Sequence, residues 1–212
     1  PFHQIKAHHF IPALESTIAI ALKEIDEITK QIETPTFRNT LETLQEIGTL
    51  VGRNSNLLFN LNSAETNKEL QKVAQDAAPL LTRFQNDIIL NETLFKRISY
   101  LYKNETKDSL TPEQFTLLEK EYKTFIRNGA HLNDDAKKKL RILDIELAQL
   151  SLCFGENVLA DTQAYSLHIV NESDLKGLPD NVIETAHDIA QEKDKKGWLF
   201  TLDYPSYIPF IT

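Results

Sequence analysis

The chain has 212 residues, enough to bury a substantial core as one large domain or two small ones. Its net charge is −8 with acidic and basic residues interleaved, so no basic face exists for phosphates and nucleic acid is excluded as an expected partner. Six glycines is few against a usual share of about 7%, which suits a helical protein with short connections.

The longest clean apolar run near the start, Thr17–Leu22, is far too short to cross a membrane, so no membrane partner is expected. No signal-peptide pattern opens the chain. The chain begins at Pro1 and contains no methionine, and it closes on an aromatic, apolar tail from Tyr204 to Thr212. A fragment of a longer protein is therefore expected. A single cysteine without a leader points to the cytoplasm, with an exported form left open by the start at Pro1.

Pro12 suits the first turn of a helix, and Leu14, Ile18, Leu22, Ile25 and Ile28 follow as an apolar stripe. Thr34-Pro35-Thr36 ends it. A second helix carries Phe37, Leu41, Leu44, Val51 and Leu58, with Gly48 and Gly52 read as a close approach to a neighbour. Residues Asn60 to Ala64 read as a turn. Thr66 with Glu69 predicts a capping box for a third helix, whose stripe runs from Leu70 to Ile88 and in which Pro79 should introduce a kink. Asn91 caps a shorter helix, and Lys103 to Ser109 is a polar loop. Thr111-Pro112-Glu113-Gln114 is a second capping box with proline at the first helical position, and Gly129 suits the left-handed end of that helix.

The organising stretch is Asn133 to Ala160. Ala136, Leu140, Leu143, Leu147, Leu150 and Phe154 step by four and three, and Ile142, Ile145, Leu152 and Val158 widen the stripe. About 27 residues at 1.5 Å each make a helix of roughly 40 Å, expected to be a spine clasped on more than one side. Asn133 caps it, with Asp134 and Asp135 at the positive end of the helix dipole. Beyond it, Tyr165–Val170 and Trp198–Asp203 alternate as strands that pair as a ribbon, with a short helix from Pro179 between them.

The fold class expected is mainly α: a bundle of long antiparallel helices with a small two-stranded β-ribbon near the C-terminal end. Two parts are expected, a helical domain over 1–163 and a strand–helix–strand extension over 164–212.

No H-E-x-x-H, C-x-x-C, G-x-S-x-G, GxGxxG or Walker loop occurs. Cys153 lies on the spine helix and reads as a buried small hydrophobe, since no His or Lys flanks it. His8 and His9 are adjacent and would point apart on a helix. His168 alternates with apolar residues on the first strand, and His187 sits near Glu184 and Asp188; both read as structural or surface groups. His3 and His131 complete the set. Glu119 with Glu121, and Asp134 with Asp135, read as surface and capping charges. The sequons at Asn91, Asn104 and Asn171 read as helix caps or chance. Tyr204, Tyr207 and Phe210 either line a groove or pack against a further segment. No catalytic or metal-binding residue is assigned, and the residues that would touch a substrate are unknown.

Several segments carry a resemblance. They are His9–Ala13, Pro35–Thr40, Phe59–Ala64, Phe125–Ala130, Leu150–Asn157, Asp174–Pro179 and Phe200–Tyr207. In that order, over essentially the whole chain, they resemble the N-terminal region of the thimet oligopeptidase family of zinc metallopeptidases, which includes oligopeptidase A and the peptidyl-dipeptidases; the last branch looks closest. The resemblance implies a zinc enzyme that cuts short peptides in a channel between two helical lobes. It implies that zinc, H-E-x-x-H and the transition-state groups belong to the other lobe, beyond this chain, so that this lobe forms one wall of the channel. Short peptides and the downstream catalytic lobe are the implied partners. A free-standing helical interaction module without activity is the rival reading.

Overall fold

The computed structural model describes residues 2–105 and 109–212. It is mainly helical with one two-stranded antiparallel sheet near the C-terminal end, which is the expected class. By its internal contacts the chain divides into two compact units, Pro1–Leu150 and Ser151–Thr212.

In the first unit, short 3-10 turns at Phe2–Gln4 and Ala7–His9 lead into α1 (Phe10–Thr29). A six-residue π-helical segment, Phe37–Glu42, and α2 (Thr43–Glu46) follow. Next come α3 (Thr49–Ala64), α4 (Lys68–Ile89), α5 (Glu92–Asn104) and α6 (Pro112–Arg127). α7 (Asp134–Ala164) is 31 residues long and continues into the second unit.

α1 lies against α3, α4 and α5, and α5 against α6. Two apolar clusters result. Leu14, Ala21, Val51, Leu58, Ala77 and Phe84 form one; Ile28, Leu41, Leu94, Ile98, Leu101, Leu118 and Phe125 anchor the other. Both are built from residues at helical spacing, because each helix buries one stripe. The second is extended by stacked rings, Tyr102 on Tyr122 at 4.0 Å and Phe95 on Phe125 at 6.3 Å between centroids.

Several boundaries differ from expectation. The stretch from Phe37 to Leu58 is not one helix. Ile47 is extended and Gly48 takes φ +80°, so the chain turns there and α3 starts afresh. Gly48 does approach a neighbour closely, since a Cβ there would lie 3.4 Å from the Phe84 ring of α4, whereas a Cβ on Gly52 would meet nothing within 4 Å. Asn60 to Ala64 is the last turn of α3 rather than a loop, since Asn62 is buried and Asn60 Nδ2 donates to Asn56 O within the helix. The cap of α4 is Asn67, whose Oδ1 accepts from Leu70 N at 2.9 Å; Thr66 instead accepts from Gln71. α4 runs through Pro79 without ending. The expected loop at Lys103–Ser109 is partly helix, to Asn104, and its residues 106–108 lie outside the described residues.

The other signals hold. Asn91 Oδ1 accepts from Leu94 N at 2.9 Å, and Thr111 with Gln114 forms the reciprocal box of α6. Gly129 takes φ +89° at the end of α6. Glu113, in the first turn of α6, is held below the ordinary glutamate value of 4.5, first by a backbone N–H and then by the Thr111 hydroxyl. Ionised Glu113 therefore stabilises the fold above that range, and the effect is lost as pH falls through its lowered folded value. Thr111→Ala should bring the Glu113 carboxyl back toward 4.5 in an NMR titration; an unmoved value would remove Thr111 as a cause.

In the second unit, β1 (Leu167–Ile169) pairs antiparallel with β2 (Trp198–Phe200). Leu167 stands opposite Phe200, and Ile169 opposite Trp198. Between them a 3-10 turn, Glu172–Leu175, precedes α8 (Asp180–Glu192), which packs Val182 and Ala186 with Leu175 and Phe200. α9 (Tyr204–Ile211) returns Phe210 to Phe200, ring centroids 4.8 Å apart.

Candidate functional site

The first candidate is α7 itself. Its start is fixed by Asn133, whose Oδ1 accepts from Ala136 N at 2.9 Å. Its first turns are tied down: buried Lys137 donates to Leu90 O at 3.2 Å, Arg141 Nη1 meets Asp87 Oδ1 at 2.7 Å, and Leu140 joins the core. Beyond Arg141 the tie ends. Leu143, Leu147 and Leu150 are 59%, 64% and 60% exposed, and Ile142, Phe154 and Val158 are exposed as well.

The expected clasp is thus overturned. A stripe at helical spacing says that one side of the helix is apolar, not that this chain covers it. Cys153 shares the outcome: expected buried, it is exposed. Contiguous aliphatic surface of this kind marks a place where another surface sits.

The second candidate is a cleft of about 700 Å³ between α4, the end of α6 and the start of α7. Leu81, Ile89, Leu132 and Leu140 supply its apolar floor, with Arg127 and Asp144 among its polar groups. Asn86 of α4 is only 6% exposed, and its Nδ2 has no hydrogen-bond partner among the described residues. An orphaned buried amide costs about 1–3 kcal/mol. Asn86→Leu, close in shape, should therefore leave urea stability unchanged or raise it by about 1 kcal/mol; a loss above about 1 kcal/mol would mean that the amide is satisfied in solution. The position escaped sequence reading because it lies on a second line of α4, Ala78-Thr82-Asn86-Ile89, in which polar residues interrupt the apolar ones.

In the second unit a smaller cleft of about 180 Å³ is lined by Tyr165, Leu167, Leu202, Tyr207 and Phe210. Tyr207 and Phe210 thus do line a groove, and Tyr204, 76% exposed, stands outside it.

His168 and His187 are structural, whereas His131 lines the cleft beside α4 and His3 is exposed. His168 Nε2 lies 2.7 Å from Lys196 O and His187 Nδ1 3.1 Å from Gly197 O, so both rings hold the turn before β2. His8 and His9 do not point apart. Lys6 N donates to His9 Nδ1, folding that ring back until the two centroids are 4.2 Å apart. Glu119 pairs with Lys123, Glu121 accepts from Gln45 Nε2, and Asp135 pairs with Lys138, all at the surface. Asn104 Nδ2 donates to Tyr100 O, and Asn171 precedes the 3-10 turn of the second unit. Among the described residues no group of three or more His, Cys, Asp or Glu side chains is placed to hold a metal ion. No described helix is long and apolar enough to cross a membrane.

No protein-family model matches the chain. Individual relatives do, and they are peptidases. Over 203 residues the chain is 32% identical to the dipeptidyl carboxypeptidase of Escherichia coli strain K12, covering 95% of this chain and 30% of that protein. Over 212 residues it is 29% identical to oligopeptidase A of Haemophilus influenzae, covering 100% and 31%. Saccharolysin of Saccharomyces cerevisiae is 24% identical over 185 residues, 85% of this chain and 26% of the relative. The chain spans about 30% of the length of the curated relatives it matches. It belongs to the dipeptidyl carboxypeptidase and oligopeptidase A family, as an N-terminal region of it.

Proposed function

We propose that this chain is the non-catalytic N-terminal lobe of a zinc-dependent oligopeptidase, a peptidyl-dipeptidase that hydrolyses short peptides in the cytoplasm. Its helical part, 1–163, forms one wall of the substrate channel, and 164–212 leads toward the catalytic lobe. One observation carries the reading: nearly the whole chain aligns at 32% identity with less than a third of a dipeptidyl carboxypeptidase.

On this reading the catalytic zinc belongs to the other lobe; among the described residues no group of three His, Cys, Asp or Glu side chains converges. No chemical step is therefore assigned to this chain. Its part is steric: a channel wall admits an extended peptide, excludes a folded protein, and closes over the substrate by a hinge.

The exposed side of α7 also suits a free-standing interaction module. The parent reading frame separates the two. H-E-x-x-H a few hundred residues beyond Thr212 is expected, and a stop directly after it would favour the module. On the 212-residue chain alone, metal analysis and a quenched-peptide assay should give neither stoichiometric zinc nor turnover. Either one would overturn the non-catalytic assignment.

A further inference from the structure

We propose that the face of α7 carrying Leu143, Leu147 and Leu150 is the seat of an amphipathic helix from the remainder of the parent polypeptide, one whose aliphatic ridge is flanked by lysine or arginine. The inference rests on the peptidase reading above and adds to it the surface and the chemistry of its occupant.

Three observations favour it. Leu143, Leu147 and Leu150 lie one turn apart on a capped and anchored helix, so the face is a fixed ridge rather than a frayed end. The relatives are about three times as long as the matched region, so chain enough exists to supply a covering helix. The charges beside the ridge decide against a second copy. In a symmetric antiparallel pair centred on this ridge, Glu146 would face Glu146 across the axis. Glu146 has no ion-pair partner among the described residues. Like charges brought together at an interface are destabilising, whereas basic residues beside an aliphatic ridge complement them.

The test uses the full-length parent polypeptide. Hydroxyl-radical labelling of Leu143, Leu147 and Leu150 is read by mass spectrometry, with Ile32, 96% exposed, as the internal reference. The three leucines are expected to label at least tenfold more slowly than Ile32. Leu147→Lys should restore labelling at Leu143 and lower the melting temperature by about 5 °C or more, while Leu147→Met does neither. Peptide cleavage is followed in the same samples. Leucines that label nearly as fast as Ile32 overturn the inference, and continued cleavage would then leave the peptidase reading intact. Slow labelling that weakens on dilution, together with a doubled mass, assigns the face to a second copy and also overturns it. Slow labelling in a parent that cleaves no peptide rejects the peptidase reading but keeps the covered face. Glu146→Lys distinguishes the flank chemistry: a lower melting temperature supports a basic partner, and an unchanged one removes that part.

Discussion

Arg97→Met is expected to destabilise the first unit by about 2–4 kcal/mol, the cost of losing a buried guanidinium's bonds to one buried and four half-buried acceptors. Arg97 is 6% exposed on α5, and its guanidinium makes five hydrogen bonds. Nε donates to Thr40 Oγ1, Nη1 to Gln31 O and Glu33 O, and Nη2 to Gln31 Oε1 and Asn39 Oδ1, all between 3.1 and 3.3 Å. Every acceptor is neutral. Burial pulls the guanidinium below its usual value, and the Glu33 carboxylate partly restores it. The segment from Gln31 to Thr40 contains one proline, Pro35, and runs from α1 into the π-helical segment. Gln31 O and Glu33 O both accept from Arg97, which ties the segment to α5. Lysine offers its donors from one point and cannot reach the fork, so Arg97→Lys should recover less than half of the loss. Urea unfolding followed by circular dichroism measures both; a loss under 1 kcal/mol for Arg97→Met would show that water replaces the guanidinium at no cost.

Gly197→Ala is expected to disrupt the ribbon of the second unit, at a cost of about 3 kcal/mol or more. Gly197 takes φ +96°, and a Cβ there would lie 2.3 Å from Ile169 O and 3.2 Å from Val170 Cα. Backbone cannot swing aside as a side-chain tip can, and Ile169 is the residue paired with Trp198. Gly177 is the internal comparison: φ is +103°, yet a Cβ would meet nothing within 4 Å. Gly177→Ala should cost only the left-handed strain, about 1 kcal/mol. The difference between the two variants isolates the steric part. Loss of the cross-strand NMR contacts between β1 and β2 in Gly197→Ala alone is the expected signature, and retained contacts would overturn the argument.

The local signals were the legible part of this chain. Asn91, Thr111 with Gln114, Gly129 and Asn133 each act where the sequence places them, because a cap needs only three neighbouring residues and the backbone between them. The strand alternation at Leu167–Ile169 and Trp198–Phe200 is legible for the same reason. The errors fell where two local choices are nearly equal in energy. Asn60 to Ala64 has turn composition, but burial of Leu58 and Asn62 extends α3 through it; Phe37 to Leu58 has helical period, but the left-handed Gly48 interrupts it.

What the sequence alone determined is most of the helices, the caps at Asn91, Thr111 and Asn133, the ribbon and the family resemblance, all properties of residues close in sequence or in fixed order. Only the tertiary structure decided that the stripe of α7 stays uncovered after Arg141, that Cys153 is exposed, and that Arg97 and Asn86 are buried. Periodicity records which side of a helix prefers to leave water. Whether anything within the chain reaches that side depends on where the other helices end and how they cross, and no local pattern carries that information.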